Sequence, residues 1–541
     1  MEFRTVVFRM YIFVFIILFI SMTIPTAANS ADDKPDWQDG RPDGCTTITV
    51  GKNATDGGWV TTSHTCDSHR TRSEVNLVPQ KTWPDGSRAA MMKRVPDNSQ
   101  AMPAYRYSPV GEIPQVGTTN SYINTAYPCM NQYQLAIGES TFEGRPSLKS
   151  DNGMIDCQQL VQLLMERCKT AREAIKLADN LTKTYGYIDD GECLTIADKK
   201  EVWHLEITGP GKGNKGAVWA AQRVPDDYVS VCANASRIRE IDLTKPDFFM
   251  ASANVKKVAQ DSGWWNPANK PFEFCYAYDP EGRESFSARR REWRVLSMVA
   301  PSLNLHANDK DFPFSVRPDT LVTLQKLVTI FKDYYEGTDY NFVKNITQAD
   351  STGKEVISPF ANPFMPYEMN KLFKVNGGWG ELGERTIARW YTMYATITQS
   401  REWMPDEIGG VVWLAFDNVA TSIYVPVYCG VTDLPRSFKT PGRTNGFTRD
   451  SVWWAFNRLG TLTAQRWGDM HKDVDAVWNP LQKEMFDAQT KTEIEAILLF
   501  DQSQQKAVDY ITRYTTKWGD RVVERCWKLG DELWTKYDEK W

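Results

Sequence analysis

The sequence predicts an α+β domain, strand-rich in its first half and helical towards its C-terminus. Two observations carry this. Short β-branched or apolar runs bounded by turn residues recur at 46–50, 59–64, 134–140, 202–208, 217–224 and 228–233, with a further hairpin pattern at 411–416 and 422–428. Apolar residues fall at helical spacing instead over 157–170, 171–185 and from Ser451 onwards.

Taken in order, 46–50 is followed by the turn Thr55-Asp56-Gly57-Gly58 and a second strand, a hairpin that places Cys45 at the end of a central strand. Gly209-Pro210-Gly211-Lys212-Gly213 is a loop between two later strands. Asp156 is a candidate N-cap for the first helix of a pair that packs on the sheet. The stretch from about 242 to 407 mixes signals and reads as an insertion, and Asp417-Asn418 forms the turn of the late hairpin. No internal repeat is visible.

The start of the chain reads as a targeting segment. Arg4 and Arg9 precede a nearly all-apolar run from 11 to 24, and Ala28-Asn29-Ser30 offers small residues for cleavage before Ala31. The run is short for a bilayer span of roughly 20 residues. Residues 1–30 are therefore expected to be a signal peptide, the protein exported to the periplasm or beyond, and no membrane anchor retained. Residues 31–44 are acidic and rich in Pro and Gly, the composition of a linker or propeptide, which leaves 45–541 as the working domain with its helical part at 451–541.

Composition excludes several functions. The net charge is −5, and removal of residues 1–44 takes away four basic and six acidic side chains to leave −3. Such a surface gives no footprint for nucleic acid or an anionic membrane. Ten cysteines in an exported chain permit disulfides, with 157, 168 and 193 plausible partners, but connectivity is not readable from spacing. No CxxC pair and no HExxH occurs, so neither a metal nor any other cofactor is expected.

Cys45 is the residue with chemical promise. Cleavage in front of it would put a thiol and a free α-amine in one residue, and an amine of pKa about 7.7–8.0 can take the proton of a thiol near 8.5. The competing reading is a disulfide to Cys66 across the hairpin.

These residues resemble a known family. Cys45-Thr46-Thr47, Val50-Gly51-Lys52 and Asp67-Ser68-His69 are similar to the start of the cysteine dipeptidases among the N-terminal-nucleophile hydrolases, the dipeptidase A and secernin-like group. Asn131-Gln132-Tyr133-Gln134-Leu135-Ala136-Ile137-Gly138-Glu139-Ser140-Thr141-Phe142 adds to the likeness, as do Trp203-His204-Leu205-Glu206-Ile207 with Gly209-Pro210-Gly211, and Glu407-Ile408-Gly409-Gly410 leading to Trp413. Penicillin V acylases and bile-salt hydrolases look like more distant relatives. The resemblance implies a four-layer αββα core, self-removal of the propeptide, and hydrolysis of dipeptides at the exposed cysteine without a cofactor. It implies Cys45 as nucleophile, Asp67 as the carboxylate that orients the N-terminal residue, Asn131 as an oxyanion donor, and Asn234 as a second polar residue beside the nucleophile. The relatives often carry Arg-Asn before the aspartate where this chain has His64-Thr65-Cys66-Asp67. Two alternatives stay open: an N-acyl amide hydrolase, and an inactive secreted binding protein.

Overall fold

The computed structural model describes residues 44–68, 70–97, 104–268, 270–364 and 385–540. The expected signal segment and all of the propeptide except Gly44 lie outside these residues, as does His69. The chain is a mixed α+β structure built on two large sheets. One has seven strands in the order Ser315–Val316, Val229–Cys232, Gly44–Val50, Ser63–Asp67, Thr392–Gln399, Val411–Phe416 and Val425–Tyr428. The other has eight, ordered Phe249–Ala251, Val218–Val224, Val202–Thr208, Gly191–Ala197, Ala136–Glu143, Pro128–Asn131, Tyr122–Asn124 and Asn76–Val78.

The strand that carries Cys45 lies inside its sheet, paired antiparallel on both sides. Cys45 faces Cys66 on Ser63–Asp67, and Thr47 faces Cys232 on Val229–Cys232. The Gly57-Gly58 turn therefore forms the expected hairpin, although the second strand begins later, at Ser63 rather than Trp59. Thr61 and Val60 make only isolated bridges, to Val50 and Ser400.

The two sheets face each other through a layer that includes paired polar side chains. Thr62 Oγ1 meets Thr195 Oγ1 at 2.6 Å, and Thr49 Oγ1 meets His204 Nε2 at 2.9 Å. Each pair satisfies groups that burial would otherwise penalise. His204 is thus a sheet residue; burial and the nearby Arg237 pull its pKa down to about 3, so it stays neutral.

Helices Cys157–Arg167 and Ala171–Tyr185 pack against the eight-stranded sheet, as their apolar spacing predicts. Asp156 caps the first by accepting from Gln159 N at 2.8 Å. Thr170 and Glu173 form a reciprocal capping box on the second. Helices Val452–Gln465 and Gln504–Lys536 pack on the seven-stranded sheet, and the 36-residue helix Trp467–Gln502 pairs with the latter. Among the described residues no helix is long and apolar enough to cross a membrane.

The stretch from 242 to 407 differs from the insertion expected of it. It supplies Phe249–Ala251, Ser315–Val316 and Thr392–Gln399 to the two sheets, the last to a central position, and it contains the helix Phe286–Val299 beside the site. Its weak local signal reflects the short strands Phe249–Ala251 and Ser315–Val316 and, in Thr392–Gln399, a strand buried on both faces and completed by distant partners, such as Thr396 opposite His64. Two other elements escaped the sequence pattern: the strand Gly191–Ala197, buried on both faces, and the long hairpin Arg88–Asp97 with Ala104–Pro114. The expected disulfide candidates Cys157, Cys168 and Cys193 are free thiols.

Candidate active site

Cys45 sits near the start of the first described strand, 5 % exposed and with a free thiol. Its Sγ lies 3.3 Å from Glu139 Oε2 and 3.3 Å from His64 Nε2, while Cys66 Sγ lies 3.5 Å from Thr71 Oγ1. The cross-hairpin disulfide does not form. Burial first, and then the negative charge of Glu139, push the Cys45 thiol well up, so the group is protonated and needs a base to react.

Asn234 holds the backbone nitrogen of Cys45. Its Oδ1 accepts the Cys45 N–H at 3.1 Å, its Nδ2 donates to Thr141 O at 2.7 Å, and its own N–H donates to Ser140 Oγ at 3.0 Å. Its φ of 58° is left-handed, a conformation that Asn tolerates better than most side chains.

Asp67 lies opposite Gly44 in the hairpin register and is fully buried. Its Oδ1 accepts from Thr392 Oγ1 at 2.6 Å, and its Oδ2 pairs with Arg385 Nη2. Arg385 Nη1 in turn fills the space a Cβ on Gly44 would need, with Asn234 Oδ1 3.1 Å from the same point. Asp67 therefore bears on the Gly44–Cys45 bond through Arg385.

Asn131 is not brought to Cys45, and this corrects the expected oxyanion role. Its Nδ2 donates to Met165 O at 2.9 Å and to Cys168 O at 2.8 Å, which closes the end of the helix Cys157–Arg167. Its Oδ1 accepts from Tyr133 N at 3.0 Å and Leu135 N at 3.2 Å. Both amide hydrogens are used to hold a turn.

Three residues without an expected role complete the site. Arg291 is fully buried and spreads its guanidinium over five acceptors: Ser287 O at 2.9 Å on its own helix, and Cys45 O at 2.8 Å, Thr46 Oγ1 at 3.0 Å, Ala233 O at 2.9 Å and Asn234 Oδ1 at 2.9 Å around the site. Burial, and then Arg385, lower its pKa to about 9, which leaves it cationic at neutral pH. The clue in the sequence was its place on the apolar face of its helix, in step with Ala288, Val295 and Val299.

Glu139 and His64 are the other two. Burial alone would raise the Glu139 carboxyl, but hydrogen bonds to His64 and Glu192 and the attraction of His64 outweigh it and the group is held low. Glu192, linked to it through Thr141 Oγ1 at 3.0 Å on each side, is driven up by burial and by the charge of Glu139. One carboxylate of the pair is ionised and the other neutral. Cys45, His64 and Glu139 also form a trio of metal-ligating atoms, all within 4.8 Å of one another.

Arg237 and Arg239 lie apart from this chemistry. Arg237 pairs with buried Glu292 at 3.2 Å, and Arg239 contacts Glu273 near the surface.

The site centres on a buried cysteine in the first strand, with its amide and carbonyl fixed by polar side chains, and the family match places the chain among the cysteine-type hydrolases. The chain belongs to peptidase family C69, whose model matches residues 44–480, a cysteine dipeptidase family of the N-terminal-nucleophile type. It is 25 % identical over 509 residues to a protein named probable dipeptidase B from Lactococcus lactis subsp. lactis (strain IL1403), covering 91 % of this chain and 94 % of that one. It is 24 % identical over 432 residues to dipeptidase A of Lactobacillus helveticus, covering 78 % and 81 %. A probable dipeptidase of Latilactobacillus sakei is 23 % identical over 480 residues, covering 86 % and 90 %.

Proposed function

We propose that the protein is an exported dipeptidase that frees Cys45 by cutting its own Gly44–Cys45 bond, on an αββα core of the N-terminal-nucleophile type. The observation that carries this reading is the clamp on Cys45. Asn234 holds its nitrogen and Arg291 its carbonyl, an arrangement that fixes a residue whose amine and thiol must both act.

In self-cleavage the Cys45 thiol attacks the Gly44 carbonyl carbon. The Gly44 acyl group moves from nitrogen to sulfur, which breaks the Gly44–Cys45 amide bond and frees the α-amine with the thiol's proton. Water then hydrolyses the thioester to release the Gly44 carboxylate and the Cys45 thiol. In turnover that amine takes the thiol proton as Sγ attacks the peptide carbonyl, then gives it to the departing amine. Water resolves the acyl-enzyme with the amine again as base. The developing oxyanion is met by the Asn234 Nδ2 hydrogen that Thr141 does not use and by the Arg385 guanidinium beside Gly44.

The Glu139 carboxylate favours dipeptides over N-acyl amides. In a dipeptide the free ammonium lies two bonds from the scissile carbonyl, within reach of an anion 3.3 Å from the nucleophile. An apolar acyl group in the same place would offer that carboxylate no charge to pair with beyond His64. The C69 relatives named dipeptidases point the same way.

Intact mass and N-terminal sequencing of wild type and Cys45→Ala test the first half of the reading, and a panel of dipeptides against N-acyl amino acids tests the second. A wild-type chain starting at Cys45, a mutant that keeps the preceding residues, and cleavage of the free dipeptides are expected. Identical N-termini upstream of Cys45 would remove the self-processing mechanism.

A further inference from the structure

Cys45, His64 and Glu139 come from three strands in two sheets, Gly44–Val50, Ser63–Asp67 and Ala136–Glu143, and no sequence spacing links them. Their ligand atoms form a nearly equilateral triangle. Sγ to Nε2 is 3.3 Å, Sγ to Oε2 is 3.3 Å, and Nε2 to Oε2 is 3.5 Å. Zinc bonds of about 2.3 Å to sulfur and 2.0–2.2 Å to nitrogen and oxygen put tetrahedral donors roughly 3.3–3.6 Å apart. The triangle therefore has the dimensions of one face of a zinc tetrahedron.

The surrounding groups hold the donors as such a site requires. Glu139 Oε1 accepts from Thr141 Oγ1 at 3.0 Å, which leaves Oε2 directed at Cys45 and His64. His64 Nδ1 lies 3.4 Å from Tyr394 Oη, and the rings of Tyr127 and Tyr394 stand edge-on to the imidazole at 5.7 and 5.5 Å. The imidazole plane is fixed and Nε2 is presented to the thiol. Outer partners of this kind orient metal ligands and strengthen them.

We propose that Cys45, His64 and Glu139 bind a divalent cation of the zinc class, and that its occupation switches off the nucleophile. A thiolate and an imidazole select zinc-like ions over calcium or magnesium, which take oxygen donors. Thiolate and carboxylate together carry two negative charges, which a divalent cation cancels in a site where all three side chains are buried. Binding converts the Cys45 thiol to a metal-bound thiolate with loss of one proton to solvent, and its lone pair is no longer available for attack. The proposed hydrolysis needs no metal, so the cation acts only as an inhibitor. The metal-binding argument itself rests on the triangle and not on export, self-cleavage or substrate.

Cadmium titration of the purified protein, followed by the ultraviolet thiolate-to-cadmium charge-transfer band, tests the site directly. One cadmium per chain is expected, with a band that disappears in Cys45→Ala although the other nine cysteines remain. His64→Gln and Glu139→Gln should each weaken binding by more than the roughly 10–100-fold that loss of an outer partner causes. Zinc at one equivalent should protect Cys45 of the wild type from iodoacetamide, and a chelator should restore labelling. A band that is absent in wild type, or that survives in Cys45→Ala, overturns the proposal even if the two buried-site variants fail to fold. Cadmium binding through Cys45 without dipeptide cleavage keeps this inference and removes the proposed activity; cleavage with no band does the reverse.

Discussion

The Cys45 N–H donates to Asn234 Oδ1 at 3.1 Å, across 189 residues of chain. That bond joins the two neighbouring strands Gly44–Val50 and Val229–Cys232 at the end that carries Cys45, because Asn234 lies two residues beyond the second of them. Arg291 reaches the same Oδ1 at 2.9 Å and the Cys45 carbonyl at 2.8 Å, so one guanidinium locks both partners. Four predictions follow the consequences of this geometry and of the buried charges around it.

Asn234→Asp keeps the oxygen that holds the Cys45 nitrogen and a side chain that accepts φ of 58°, but removes the Nδ2 donor. Loss of one oxyanion donor costs about 10²–10³ in kcat. Dipeptide kinetics on folded variant should show that drop with a smaller change in KM. A kcat within threefold of wild type would mean that Asn234 only positions Cys45.

Arg291→Lys retains the charge but not the planar fork. A lysine cannot serve Cys45 O, Thr46 Oγ1, Ala233 O and Asn234 Oδ1 together, and each buried acceptor left unpaired costs about 1–3 kcal/mol. Urea denaturation is expected to show a loss of about 2–5 kcal/mol. Dipeptide hydrolysis should fall with it, because the strand end that presents Cys45 loosens. Wild-type stability would show that the guanidinium is replaceable.

Gly44→Val places a branched Cβ where Arg385 Nη1 now lies, and Arg385 cannot move away without leaving Asp67. The precursor should accumulate, with Cys45 exposed at a rate at least about tenfold lower, a barrier increase of about 1.4 kcal/mol. Time-resolved intact mass after synthesis reads this out. Equal processing rates would show that Arg385 does not constrain the scissile bond.

Asp417 supplies the clearest pH dependence of stability. Burial lifts its carboxyl to about 7, whereas an unfolded Asp titrates near about 3.9. Between those values the folded chain holds a proton that the unfolded chain has lost. Its contribution is therefore complete below about pH 4 and is lost as pH rises through about 7. Asp417→Asn keeps an acceptor for Asn457 Nδ2, now bonded at 3.0 Å, and suits the left-handed φ of 56°. The variant is expected to match wild type near pH 4 and to exceed it by about 2–4 kcal/mol at pH 8. Denaturation midpoints that differ equally at both pH values would assign the change to something other than this proton.

Much of the architecture was legible because its causes are local. The strand Val202–Thr208, the helix Ala171–Tyr185 and the strand Val411–Phe416 all start and stop where periodicity and turn residues put them. Thr392–Gln399 was hidden inside a stretch read as an insertion. It is buried on both faces, so it lacks the alternation that marks a half-exposed strand.

The site divides in the same way. The motif around Cys45 was readable from a few adjacent residues, and the resemblance it carries singled out Asp67. Asn131 shows the limit: an Asn in a motif is equally suited to an oxyanion and to a turn, and only the carbonyls of Met165 and Cys168 decide for the turn. The sequence by itself determined the α+β class, the strand that carries Cys45 and the family, because propensity, periodicity and short motifs are properties of neighbouring residues. Only the tertiary structure decided that Arg291 clamps Cys45, that Arg385 carries Asp67 to Gly44, and that Glu139 and His64 meet the thiol. Those contacts join strands and helices far apart in the chain, and sheet register and burial, rather than local pattern, set which side chains face each other.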